Sequence, residues 1–437
     1  MIPEVGRLKP IRLPHVSDEV LPNGLRMVIV RRSGTPLVEM RLRIPMPATT
    51  AGEEARRDLL AQTLKSGTSR CSEVDIAVRL QEIGGSLGVG TDEDGLHLSG
   101  SALSRRMGDL LHLVVEILTD AAFPDSSVWT ERARLAQEVV LARAQPEVVA
   151  GEELRKRFFG RHPYGLGLPS PSGLRRVTPG RLRALHDELV RPGGAVLVLA
   201  GDLQPAAAAE RAANVMRQWK RRRRPAPVPK PSAPRPRPML IVHRPGSRQT
   251  NIRLGGLAPA SGTKVFPAFE LANLIFGGYF SSRLIANLRE DKGFTYNAAS
   301  HIHHAVAAST VTISADVRSE VTGAALVEIM YELGRIVSSP PEATELEEAR
   351  RYRIGTLAIG THTQAGFADT LSALLSRGLD VAYLRSHQDH LEKVSVDDVL
   401  VAAREFLAPS RLVPVLVGDA DVIVPQIAPF GRFHVRA

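Results

Sequence analysis

The sequence predicts an α+β protein made of two similar domains, each an antiparallel-rich sheet with helices covering one face. Strand-like and long helical patterns are mixed without the strict alternation of a parallel βαβ sheet. The 437 residues exceed one ordinary domain of roughly 100–200 residues. A helix followed by a strand that closes on Gly-Asp also occurs twice, over 24 positions from Val177 to Gly201 and again over 24 from Val394 to Gly418.

The predicted elements follow one another in the same order in both halves. Strand-like runs come first: LRMVIVRR and LVEMRLRIP in the first half, and TNIRLGG in the second. The helical patterns GDLLHLVVEILTDAAF and TGAALVEIMYELGRIV come next with similar apolar stripes, and each precedes another long helical pattern. A polar N-cap, a helix and an apolar strand end each half. This shared order predicts a duplicated domain.

A basic, proline-rich segment separates the halves. Between Met216 and Pro238, nine residues are basic, seven are proline and none is acidic, so this segment carries most of the formal charge of +10. Proline favours an extended spacer over helix or central strand. We therefore expect a first domain at 1–215, a linker at 216–238 and a second domain at 239–437. Because no aromatic residue follows the basic run to stack on bases, we expect no nucleic-acid partner.

The composition, with 43% apolar and 23% charged residues, is that of a globular protein. No apolar run approaches the ~20 residues of a membrane span, so we expect no membrane partner. The first residues lack the apolar core of a secretory signal, which makes the cytoplasm the expected location. The single cysteine, Cys71, excludes an intrachain disulfide and a cysteine metal cluster.

Five segments distributed over nearly the whole chain resemble one known family. They are LPNGLRMVI, GRHPYGLGLPS, VLAGDL, RPGSRQTNIRLGG and FGGYFSSRLIANLREDKGFTY. In order and spacing they resemble the insulinase, pitrilysin and mitochondrial-processing-peptidase family. The resemblance implies two domains of the metallopeptidase type found in that family.

Active members of that family hold zinc on a His-x-x-Glu-His helix, with a glutamate about 75 to 80 residues later as third protein ligand. Residues four apart share a helix face, so two imidazoles hold one ion while the glutamate activates its water. By resemblance, the segment ARRDLLAQTLKSGT places Asp58, Ala61 and Gln62 at these positions, and Arg143 at or near the later glutamate. A neutral glutamine is a poor zinc ligand, an arginine repels the ion, and the general base is missing. We expect no metal or other cofactor in this chain.

The second half retains another element of the family. In its active assemblies, an arginine and a tyrosine from the half without zinc reach the metal site, where they bind the substrate backbone and stabilise the oxyanion. The resemblance assigns these roles to Arg289 and Tyr296. The pattern places them at the end of a helix capped by Ser281 or Ser282 and at the start of a strand beginning at Phe294. Without the resemblance, they would be a surface charge and a half-buried strand residue.

The resemblance therefore predicts an inactive subunit of a heterodimeric zinc peptidase. The expected partner carries the zinc and the His-x-x-Glu-His motif, and the expected substrate is an unstructured peptide. Two alternatives remain: a structural or scaffolding protein of the same fold, and a homodimeric peptide-binding protein that has lost catalysis.

Overall fold

The computed structural model describes residue 14 and residues 16–220, 226–234 and 237–436. It contains two six-stranded sheets, one from each half of the chain. The strands of the first sheet are β1 (Val16–Val20), β2 (Arg26–Arg31), β3 (Leu37–Pro45), β4 (Ser86–Asp92), β5 (Gly95–Leu103) and β6 (Val196–Gly201). The strands of the second sheet are β7 (Met239–His243), β8 (Gln249–Ala258), β9 (Ala298–His304), β10 (Ser309–Arg318), β11 (Val413–Gly418) and β12 (Phe433–Arg436).

Helices connect the strands in both halves. The first half contains α1 (Ala51–Thr63), α2 (Glu73–Glu82), α3 (Met107–Asp120), α4 (Asp125–Ala144), α5 (Pro146–Phe159), α6 (Pro171–Arg175), α7 (Pro179–Leu189) and α8 (Pro205–Met216). The second half contains α9 (Phe266–Asn273), α10 (Arg283–Ile285), α11 (Thr322–Ser338), α12 (Ala343–Gly360), α13 (Gln364–Ser376), α14 (Ala382–Lys393), α15 (Val396–Phe406) and α16 (Ala420–Ile427). Leu274–Gly278 and Ala286–Asp291 are π-helical turns. Short 3₁₀ turns lie at Ser104–Arg106, Pro163–Gly165, Ser319–Val321, Pro409–Arg411 and Ala428–Phe430.

The two sheets have corresponding strand orders, β1-β2-β6-β3-β5-β4 and β12-β7-β11-β8-β10-β9. Most neighbours are antiparallel; β2 with β6, β7 with β11 and β7 with β12 are parallel. The predicted helix-strand repeat becomes α7 with β6 and α15 with β11, and both helices begin at polar caps, Thr178 and Ser395. The predicted α+β fold in two similar halves is confirmed. The halves differ at one sheet edge, where β1 comes from the start of the chain and β12 from its end.

Each sheet also receives one helix from the opposite half. Alternate residues of β2 face opposite sides: Met27 and Ile29 lie in the core of the first half, whereas Val28 and Val30 pack with Phe367 of α13. In return, α5 of the first half packs on β8 and β11 of the second sheet. The prediction that helices cover one face of each sheet is therefore incomplete. Both faces of the central strands are buried, which accounts for continuous apolar runs such as RMVIVR.

The first half ends a few residues later than predicted. Helix α8 continues to Met216, and the indole of Trp219 is fully buried and donates to the Val190 carbonyl at 3.1 Å. The linker therefore begins after Trp219 rather than at residue 216. Its residues 226–234, 237 and 238 form neither helix nor strand, and its residues 221–225 and 235–236 lie outside the described residues. Within the described ranges, no helix combines the length and the apolar character required to cross a bilayer.

Candidate functional site

The segment between the two π-helical turns forms an exposed aromatic loop. The first turn ends at Gly278, and α10 begins after Ser282, whose backbone has the extended N-cap conformation. The Ser282 hydroxyl is buried but makes no capping hydrogen bond, unlike the predicted cap. Between them, Phe280 is 64% exposed. π-Helical turns inside helices often occur at functional sites, and two of them flank this loop.

Arg289 lies on the second π-helical turn, beside this loop. Its guanidinium carbon is 4.8 Å from the centre of the Phe280 ring, a cation–π contact. Its Nε lies 3.4 Å from Oε1 of Glu290. The Arg289 side chain is 38% exposed, so it retains access to a ligand while one aromatic ring and one carboxylate hold it.

Tyr296 lies in the loop that leads from Arg289 to the edge strand β9. Gly293 has a left-handed φ of +61°, and the Phe294 N–H bonds back to the Leu288 carbonyl at 2.9 Å. The hydroxyl of Thr295 donates to the Asp316 carbonyl at 2.6 Å and fixes the loop on β10. The prediction of a strand from Phe294 is wrong, because these two bonds hold the loop to the preceding turn and to β10. Strand β9 begins only at Ala298.

The Tyr296 side chain is 94% exposed. The interpretation of Tyr296 as a half-buried strand residue therefore fails. A fully exposed tyrosine presents its hydroxyl and its ring to any molecule that covers this surface, and such aromatic side chains are typical of binding surfaces. Tyr296 lies two residues before β9, the edge strand of the second sheet, and Arg289 lies seven residues before Tyr296 on the preceding π-helical turn.

The four residues at the positions of the family's zinc site differ in burial and in hydrogen-bond partners. Asp58, Ala61 and Gln62 all lie on α1. Asp58 accepts a hydrogen bond from Thr91 Oγ1 at 2.8 Å, and burial raises the pKa of its carboxyl. Ala61 is buried, whereas Gln62 is exposed. Arg143, on α4, donates from Nε and Nη2 to the carboxylate of Glu152 at 2.9 and 3.0 Å.

The residue of α4 that contacts Gln62 is Arg134. Its Nη2 donates to Gln62 Oε1 at 3.0 Å, and the same guanidinium pairs with Glu131 and Glu138. Arg143 lies nine positions further along α4, a helical rise of about 13 Å.

A cavity of about 640 Å³ opens beside Asp58, between α1 and α5. Its wall includes Glu54, one helical turn before Asp58, and Arg155. Burial raises the pKa of Glu54 to about 7, against the lowering effect of Arg57, which donates to it at 2.7 Å. The cavity therefore contains a carboxyl group that changes its charge near neutral pH.

Comparison with known proteins finds a family model that matches the middle of the chain. Residues 176–352 match the family model of the peptidase M16 inactive domain. Over these residues the chain is similar to that domain. The resemblance predicted from the five segments is confirmed, and Arg289 and Tyr296 both lie within the matched M16 residues.

Similar proteins cover most of this chain. An uncharacterized zinc protease of Mycobacterium leprae is 25% identical over 300 residues, 67% of either chain. One of Mycobacterium bovis is 23% identical over 373 residues, 83% of this chain and 82% of its own. Among solved structures, a peptidase M16 inactive domain from Pseudomonas fluorescens has a TM-score of 0.86 at 24% identity, covering 92% of this chain and 98% of its own. A protease from Helicobacter pylori has a TM-score of 0.87 at 18% identity, covering 93% and 100%.

The zinc ion implied by those relatives does not fit the corresponding residues of this chain. Of the three positions on α1, one is alanine, and the amide oxygen of Gln62 is already bonded to a guanidinium. The positive charge of this guanidinium repels a metal cation at the same place. The described residues contain one other group with metal-ligand geometry, His243 with Asp419 and Asp421. There, the imidazole Nδ1 already accepts the Ala420 N–H at 3.0 Å.

Sequence reasoning missed Phe280, Arg134 and Glu138. The spacing of the sequence could have indicated Glu138. It follows Gln62 by 76 positions, within the interval for the third zinc ligand, whereas Arg143 follows Gln62 by 81. Phe280 and Arg134 had no signal in one sequence, because their roles depend on contacts with side chains that only the fold brings near.

Proposed function

We propose that this chain is the zinc-free, substrate-binding subunit of a two-chain zinc peptidase. The partner subunit would carry the His-x-x-Glu-His helix and the zinc, and the substrate would be an unstructured peptide. The single observation that carries the proposal is the contrast between the two candidate sites. At the metal site, Ala61 cannot act as a general base and Gln62 is bonded to a guanidinium. Arg289 and Tyr296, by contrast, are present and accessible to solvent.

The chemistry of these two side chains suits a supporting role in peptide hydrolysis. A phenol hydroxyl donates one directional hydrogen bond, and a preorganised donor at the oxyanion of a tetrahedral intermediate contributes on the order of 3 kcal/mol. A guanidinium offers a planar fork of donors to carbonyl or carboxylate oxygens. Neither group activates water, so the pair needs a second chain that supplies the nucleophile.

The anchoring of the pair supports preorganisation. The backbone on either side of Tyr296 is fixed by the Thr295 hydroxyl, which donates to Asp316 and accepts the Asn297 N–H at 3.0 Å. Phe280 and Glu290 hold the guanidinium of Arg289. The tyrosine ring itself remains free to contact a substrate.

The test is hydrolysis of an unstructured peptide by this chain alone, by a zinc-bearing M16 chain alone and by their mixture. The proposal predicts activity in the mixture and little in either chain by itself. Equal activity of the zinc-bearing chain with and without this chain would contradict it and would favour a scaffold. Peptide binding by this chain as a homodimer, without any gain of hydrolysis on mixing, would favour the peptide-binding alternative.

A further inference from the structure

Two side chains of α4 and one of α1 meet at the guanidinium of Arg134, which is itself on α4. Arg134 Nε donates to Glu131 Oε2 at 2.7 Å, and its Nη1 pairs with Glu138. Its Nη2 donates to Gln62 Oε1 at 3.0 Å across the gap between the helices. Glu131 and Glu138 lie two turns apart on one face of α4, so both carboxylates reach the same cation from opposite sides.

The residues that surround this guanidinium correspond, by resemblance, to metal ligands in active members of the family. By resemblance, Gln62 stands where the second histidine of the zinc motif stands. Glu138 lies within the interval of the third ligand. These two positions, from two helices, converge on Arg134. Asp58, at the first histidine position, takes no part, because its carboxylate bonds to Thr91 instead.

We propose that the guanidinium of Arg134 occupies the place of the metal ion and serves as a built-in cation that joins α1 to α4. The residue types agree with this role. An amide oxygen is a poor ligand for zinc but a good acceptor for an N–H donor, which explains a glutamine at position 62. A guanidinium has five N–H donors in one plane, enough for Gln62, Glu131 and Glu138 together.

The chain then excludes zinc in two independent ways. Of the two ligand positions on α1, Gln62 is a poor zinc ligand and Asp58 is bonded to Thr91. At the third ligand position, the carboxylate of Glu138 is paired with a positive charge. Restoring the ligands alone should therefore not restore the metal site, because an ion would enter beside Arg134 and compete with it for Glu138.

The experiment restores the motif with Asp58→His, Ala61→Glu and Gln62→His, with Arg134 either retained or changed to leucine. Each full-length chain is titrated with Zn²⁺ alone against a chromophoric chelator. We expect the chain with Arg134→Leu to bind zinc at least about 100-fold more tightly than the restored chain with Arg134, since a unit charge within a few ångströms of the ion is removed. If the two restored chains bind zinc with equal affinity, or if neither binds it measurably, the proposal is overturned.

Arg143→Leu in the restored chain is the matched control. Arg143 lies on the same helix and pairs with Glu152, not with Gln62, so its removal should leave zinc affinity unchanged. A gain as large as that from Arg134→Leu would mean that lowering the net charge suffices, and would also overturn the proposal. The ion pairs of Arg134 are exposed and contribute little to stability, so its variants should fold. Arg134→Met provides a second variant with a longer apolar side chain.

Discussion

Replacing Phe367 with alanine tests the reciprocal packing of the two halves. Phe367 belongs to α13 of the second half, is 1% exposed, and packs with Val28, Val30 and Val198 of the first sheet. Truncation of a buried phenylalanine to alanine costs about 3–5 kcal/mol. Because the ring lies against the first sheet, we expect much of this loss to appear in the stability of the first half, although the substitution is in the second.

The two tryptophans provide the assay. Trp129 and Trp219 both lie in the first half, so their fluorescence reports the unfolding of that half in urea. Phe367→Ala should move the fluorescence transition to lower urea concentration, whereas Ile359→Ala, at a position 76% exposed in the second half, should not move it. A fluorescence transition unchanged by Phe367→Ala, with a shift seen only by circular dichroism, would refute the reciprocal packing.

Two further substitutions test the electrostatics and the aromatic loop. Burial raises the pKa of Glu54 from 4.5 to about 7, so the folded chain holds this proton more tightly than the unfolded chain. The contribution of Glu54 to stability therefore falls as the pH rises between these two values. The free energy of unfolding of Glu54→Gln, relative to wild type, should therefore be higher at pH 8 than at pH 5 by up to ~3 kcal/mol. An equal difference from wild type at both pH values in urea unfolding would contradict this. Phe280→Ala should lower the kcat/KM of the mixed subunits about two- to fivefold, because Arg289 loses a cation–π contact of about 0.5–1 kcal/mol at an exposed site, whereas Phe280→Tyr should preserve activity; full activity of Phe280→Ala would show that the ring does not position Arg289.

Much of the fold follows from periodicity and duplication. The equal spacing from Val177 to Gly201 and from Val394 to Gly418 reflects two copies of one helix-strand unit, and the alternating patterns give most strands their correct faces. The exchange of α5 and α13 could not be predicted, since a continuous apolar run such as RMVIVR shows that both faces are covered but not by which segment.

The candidate site was predicted less evenly. Arg289 and Tyr296 follow from a motif. The strand expected at Phe294 was predicted from local pattern alone and does not form there, because Thr295 bonds to the distant strand β10. The pairing of Gln62 with Arg134 spans 72 positions and leaves no local signal. Side-chain contacts of this kind require the tertiary structure.

The most direct test of the proposed function is the kcat of the two mixed subunits with Tyr296→Phe, which removes one hydroxyl and leaves the ring. Tyr331→Phe on α11, at a position 56% exposed, is the matched control. If Tyr296 donates to the oxyanion, kcat should fall tenfold or more, above ~1.4 kcal/mol, while the control retains full activity. An unchanged kcat for Tyr296→Phe in an active mixture would contradict a role for this chain in the chemistry of its partner.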